Sequence, residues 1–202
     1  MPSKRIRILP LSALVLYSLS CAVTRVEVPV APLASATVAT PAPGDPAVAA
    51  VRARLVQYQA RTGLTDAELT QLAETVVVEA RRYRFDPGLV VAVIHVESRF
   101  DTYAVSPKDA LGLMQLLPST GEELAPVVGV EWHGPQTLFD PVANVRLGVA
   151  YLRQLTDRYN GSVRTALVAY NWGPGRIDEF MRTGDPLPRE YSQLVLAAYD
   201  RS

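Results

Sequence analysis

Glu97 is the residue whose type and setting could do chemistry. It stands at the near end of Val90-Val91-Ala92-Val93-Ile94-His95-Val96-Glu97. A helix through this stretch sets Val93 and Ile94 one turn below the carboxyl group. Burial there disfavours the charged form, raises the pKa and suits a general acid working near neutrality. The competing reading is structural, because a buried carboxylate can equally cap backbone or pair with Arg99. A two-carboxylate glycosidase needs a partner about 5–9 Å away. Asp101 is the nearest in sequence, yet it falls outside the helix and in no motif that would make it a nucleophile.

The remaining polar residues suggest little other chemistry. His95 is two positions from Glu97 and faces elsewhere on the helix. His133 lies in a loop beside Trp132. Two isolated histidines without a cysteine partner do not compose a metal site, so no metal and no cofactor are expected. Gly173-Pro174-Gly175 follows a helix and no strand, which argues against a phosphate-binding loop.

The elements that must position Glu97 read as helices throughout. A weak helix spans about 47–61 and stops at Gly63. Thr65-Asp66-Ala67-Glu68 is a capping box that opens a helix to about Tyr83. Its apolar stripe is Leu69, Leu72, Ala73, Val76, Ala80 and Tyr83. Asp86-Pro87 is an N-cap with proline at the first helical position. The helix that it starts, to about Ser98, is apolar nearly all round and should be the buried centre. Asp140-Pro141 repeats the start signal for a helix to Tyr159, closed by Asn160-Gly161. Further helices are expected from Ser162 to Asn171, over about 175–182 and over about 189–200. No stretch alternates like a strand, so the expected fold is all-α.

The chain has 202 residues, 49% of them apolar, with 20 basic against 20 acidic side chains. That balance excludes an electrostatic nucleic-acid binder. Lys4, Arg5 and Arg7 precede an apolar run from Ile8 to Leu19, an export signal over residues 1–20. The run is shorter than the roughly 20 apolar residues that span a bilayer. Without these three cations, 17 basic residues face 20 acidic ones. Cys21 is the single cysteine and stands where the apolar run ends. Ser18-Leu19-Ser20-Cys21 is similar to a bacterial lipoprotein cleavage box, although Ser18 holds a place where Leu is usual. Lipidation at Cys21 would tether the protein to a membrane leaflet. Residues 21–47 form a Cys-led Ala/Val/Pro-rich linker, broken by Pro29, Pro32, Pro41, Pro43 and Pro46. The catalytic domain is then expected over 48–202.

Four motifs follow one another along this domain: Glu97-Ser98-Arg99-Phe100, Gly112-Leu113-Met114-Gln115, Asp140-Pro141 with Asn144, Gly148, Tyr151 and Leu152, and Ala169-Tyr170-Asn171-Trp172-Gly173-Pro174-Gly175. In this order they resemble the lytic transglycosylases of the goose-type lysozyme superfamily, with a soluble-lytic-transglycosylase-type catalytic domain. The resemblance covers about residues 75–198. It implies a lysozyme-like helical fold with a sugar-binding cleft. It also implies a cell-envelope enzyme that cleaves the MurNAc-GlcNAc β-1,4 bond of peptidoglycan and leaves a 1,6-anhydromuramyl end.

Carried over by residue, the resemblance makes Glu97 the acid/base. Ser106, Met114, Gln115, Tyr170 and Asn171 would line the cleft, with Glu190 a polar support. Three positions depart from the pattern: Asp109 where Gly is usual, Trp172 where a small residue is usual, and Leu194 where a Tyr is expected. Trp172 could extend a stacking surface for a sugar ring. The implied partner is the peptidoglycan glycan strand, with the membrane reached only through a lipid on Cys21. The implied location is the periplasm or cell envelope, as an outer-membrane lipoprotein if Cys21 is acylated. Two alternatives stay open: a lysozyme- or chitinase-like hydrolase of the same fold, and a non-catalytic glycan-binding or scaffold protein.

Overall fold

A computed structural model describes residues 41–201. The export signal, Cys21 and the linker up to residue 40 lie outside the described residues. Helices carry the described chain, and the extended pairing is confined to two isolated bridges, Val105 with Leu111 and Leu111 with Leu116. The helices are α1 (Pro46–Val56), α2 (Gln59–Thr62), α3 (Asp66–Arg82), α4 (Pro87–Ser98), α5 (Pro118–Val128), α6 (Pro141–Arg158), α7 (Val163–Trp172), α8 (Pro174–Thr183) and α9 (Glu190–Tyr199). A short 3-10 helix over Pro135–Phe139 precedes α6.

The start signals act as the sequence indicates. Thr65 and Glu68 close a reciprocal capping box on α3. Asp86, Asp140 and Ser162 each accept a backbone N–H at the start of α4, α6 and α7. The weak first helix divides in two at Gln57 and Tyr58, and Gly63 in the left-handed region ends the second piece. α5 and the 3-10 helix carry no side-chain cap and have no start signal of this kind in the sequence. Pro118 starts α5 without a side-chain cap, and Pro126 lies inside it, so its sequence reads as a loop.

α4 is the centre of the molecule. Leu89 to Ile94 are all buried, and they pack with apolar side chains of α3, α6, α7 and α9 in the larger of two clusters. Each such side chain contributes roughly 1.5–3 kcal/mol by leaving water. This face-independent burial accounts for a helix with no polar side at its middle. The second cluster joins Leu111, Leu116, Leu124, Ala125, Leu138 and Leu147 around α5, and it supports the loop that faces the site.

Candidate active site

Glu97 occupies the last turn of α4. The helix ends because Arg99 and Phe100 both take left-handed backbone conformations, at φ 52° and 67°. The Arg99 N–H closes on the His95 carbonyl, and the fully buried Phe100 ring anchors the turn. This reversal starts a compact loop over residues 101–117, which meets α6 at Asn144 and α7 at Tyr170.

Asn144 of α6 holds that loop from inside. Fully buried, it accepts the Met114 N–H at 2.7 Å and donates to the carbonyls of Leu111 and Leu138, at 3.0 and 2.8 Å. Gly112 is required beside it: a Cβ there would lie 2.1 Å from the Leu138 carbonyl oxygen, and its φ is +75°. Asp109 sits at φ 60°, in keeping with its replacement of a glycine.

Tyr170, at the end of α7, donates its hydroxyl to the Met114 carbonyl at 2.8 Å, and its ring meets Tyr151 at 5.2 Å. Tyr191, in the first turn of α9, donates its hydroxyl to Glu97 Oε1. Burial pushes both phenols well above their ordinary pKa, and the Glu97 charge raises them further. Both therefore stay neutral donors at any ordinary pH. Glu97 itself is raised from 4.5 to about 7, because burial outweighs the Tyr191 hydrogen bond that favours its anion.

A second carboxylate, buried on α3, gives the contrast. Glu79 on α3 is also raised by burial, but Arg82 at 3.1 Å and Arg146 at 3.8 Å flank it. Among the described residues no cation makes a salt bridge to Glu97. A proton can leave and return there, whereas Glu79 is held as part of an ion-pair network. Asp101 is tied into its own turn by the Tyr103 N–H.

The structure separates the other expected residues. Gln115 is half-buried in the loop, where its side-chain amide donates to the carbonyls of Ala104 and Gly112. The Ser106 hydroxyl accepts the N–H groups of Lys108 and Ala110, so it shapes the turn. The Met114 side chain lies in the core, pressed against Gly148, and only its backbone meets Tyr170. Asn171 and Glu190 are exposed. It is Tyr191, the neighbour of Glu190, whose side chain reaches Glu97, while Leu194 is 59% exposed. A signal for Tyr191 was available: with Val195 and Ala198 it forms the buried stripe of α9. Trp172 is 39% exposed, with the Arg176 guanidinium 4.7 Å from its ring centroid and Phe180 edge-on. Among the described residues no cluster of His, Cys, Asp and Glu could hold a metal ion.

The family model described as the transglycosylase SLT domain matches residues 74–190, which include Glu97, the loop and α7. The chain belongs to this family. A membrane-bound lytic murein transglycosylase C from Edwardsiella ictaluri is 37% identical over 107 residues, covering 48% of this chain and 30% of that protein. The chain thus spans about a third of the length of this relative. Among solved structures, an inactive glutamate-to-glutamine variant of lytic transglycosylase Slt from Pseudomonas aeruginosa matches with a TM-score of 0.59 and 28% identity. The match covers 75% of this chain and 29% of that one. The 70-kDa soluble lytic transglycosylase of Escherichia coli shares the fold, with a TM-score of 0.52 and 22% identity over 76% of this chain and 29% of that one. The all-α, lysozyme-like architecture of the SLT domain family is therefore the architecture of this chain.

Proposed function

We propose that this protein is an exported peptidoglycan lytic transglycosylase, with Glu97 as its acid and then its base. The observation that carries the reading is the Glu97 carboxyl: half-buried, free of a cationic partner among the described residues, raised to about 7, and held by Tyr191. A group titrating there is substantially protonated at neutral pH and can also accept a proton, the two capacities that one acid/base needs. The Slt variant made inactive by exchange of one glutamate for glutamine supports the same assignment by analogy.

Glu97 donates its proton to the glycosidic oxygen as the bond to the anomeric carbon breaks. The oxygen of the muramyl N-acetyl group attacks that carbon, in place of a second carboxylate. The C6 hydroxyl then displaces the N-acetyl oxygen and gives its proton to Glu97, which closes the 1,6-anhydro ring. No water is consumed. Tyr170 and Asn171 are assigned to the N-acetyl arm by the family resemblance, and the hydrogen bond from Tyr170 to the Met114 carbonyl fixes its ring. Residues 1–20 supply the export signal, residues 21–47 the linker, and Cys21 the lipid attachment. The domain from residue 48 onward carries the chemistry at the cell envelope.

Digestion of purified peptidoglycan in water enriched in oxygen-18 tests the reaction. Transglycosylation gives anhydromuramyl ends without label. Reducing ends carrying one heavy oxygen would instead mark a hydrolase, and an absence of soluble products would mark a binding protein.

A further inference from the structure

Trp172 and Arg176 meet across the turn that joins α7 to α8. The Arg176 guanidinium lies over the Trp172 ring, 4.7 Å from its centroid, and Phe180 meets the same ring edge-on at 6.4 Å. Trp172 and Arg176 are both exposed. An aromatic face attracts a guanidinium without neutralising it, so Arg176 keeps its charge and its N–H donors.

The acids that would ordinarily pair with Arg176 are taken. Glu179, three residues on along α8, is its natural partner. Arg182 instead donates to both Glu179 oxygens, at 3.0 and 2.5 Å. Asp178 accepts from Arg158 and from the Tyr159 hydroxyl. Among the described residues Arg176 has no carboxylate partner.

The turn beneath it is fixed. The Tyr159 hydroxyl bridges the Pro174 carbonyl and Asp178 Oδ1, at 3.1 and 3.0 Å, and Ile177 is fully buried. Arg176 therefore projects from an anchored stretch of α8, with Trp172 limiting where its guanidinium goes. A small residue at position 172, the usual type in the family, would remove that support.

The position suits a group carried by the sugar. Trp172 stands two residues after Tyr170, whose phenol is raised in part by the Glu97 charge. Two helical residues rise about 3 Å, and a helix with its side chains is roughly 10–12 Å wide. A peptide of three to five residues reaches about 10–18 Å when extended. In peptidoglycan such a peptide hangs from the lactyl ether of the muramyl residue and ends in a carboxylate. A guanidinium meets a carboxylate through two parallel hydrogen bonds.

We propose that Arg176, held over Trp172, binds a carboxylate of the stem peptide and gives this chain a preference for strands whose stem carboxylates are free. The inference rests on the peptidoglycan reading above, and it assigns a specificity residue that takes no part in the proton transfers.

The test compares two strand preparations of equal length, N-acetylated alike, with stem carboxylates either free or converted to primary amides. Wild-type kcat/KM should be about tenfold higher on the free acids, with the difference in KM, as for the loss of one charge-assisted contact. Arg176→Gln should bring the ratio close to one without altering the circular-dichroism melt. Arg176→Lys, which keeps the charge and loses the fork, should give an intermediate ratio. Equal kcat/KM on the two strands, or an unchanged ratio in Arg176→Gln, would overturn the inference and leave the reading of function intact. Release of no anhydromuropeptide from either strand would sink that reading. The dissociation constants of Glu97→Gln for the two strands then still decide the inference, since binding alone should show the same preference. Arg176-dependent sedimentation with vesicles one-third anionic phospholipid, at an unchanged strand ratio, would give the site to a lipid phosphate and overturn it too.

Discussion

The Tyr191 hydroxyl donates to Glu97 Oε1 across 94 residues of sequence. The bond ties the first turn of α9 to the last turn of α4, and it opposes the burial that raises the carboxyl. Tyr191→Phe removes the one contact that favours the anion, so the Glu97 pKa should move further above 7. The basic limb of the pH–rate profile should shift upward with it. Maximal kcat should fall roughly tenfold, the worth of one buried hydrogen bond, with KM little changed. A pH–rate profile of the variant checks both; an unshifted limb would detach Tyr191 from the titration.

Glu97 also makes stability depend on pH. Its pKa is about 7 in the folded chain against an ordinary 4.5, so the folded state holds more protons between these values. Stability from this group is greatest below about 4.5 and is lost as pH rises through 7. Glu97→Gln removes the cost, and the neutral amide can still accept from Tyr191. The variant should be more stable than the wild type by on the order of 2 kcal/mol at pH 8, with the difference gone at pH 4. Urea unfolding at the two pH values measures it.

Asn144 and Gly148 should control the loop without touching the reacting groups. Asn144→Ala leaves the Met114 N–H and the Leu138 carbonyl unpaired, while the Leu111 carbonyl keeps the Leu116 N–H, at a cost of about 3 kcal/mol. Gly148→Ala places a Cβ 2.4 Å from Met114 Sδ, so the side chain must shift and its backbone with it. Both variants should lower the melting temperature, and Gly148→Ala should raise KM through displacement of the Met114 carbonyl from Tyr170.

Trp172 tests the reach of the glycan. It lies one half-turn beyond Tyr170, exposed and paired with Arg176. Trp172→Ala should raise KM for long glycan strands roughly tenfold, in line with the loss of one aromatic stacking contact, and leave kcat unchanged. Steady-state kinetics on strands of defined length measure the split.

Local signals made most of this architecture legible in the sequence. Caps at Thr65, Asp86, Asp140 and Ser162 fix helix starts through hydrogen bonds a few residues long, and the apolar run of α4 marks the core. α5 escaped because its prolines and Gly121 resemble a loop, although Leu124 and Ala125 bury it. The site was legible where a motif and a burial pattern coincide, as at Glu97. Tyr191 is legible only as part of the buried stripe of α9, because its bond to Glu97 joins residues distant in sequence. Met114 was placed in the cleft by its motif, yet Gly148 of α6 opens the space that takes its side chain inward. No spacing within the motif carries that information.

In the proposed reaction Glu97 supplies both proton transfers. Digestion of purified peptidoglycan by the wild type and by Glu97→Gln, with soluble products read by mass spectrometry, tests it most directly. Anhydromuropeptides are expected from the wild type and none from the folded variant. Anhydromuropeptides released by Glu97→Gln at a rate near the wild type would contradict it.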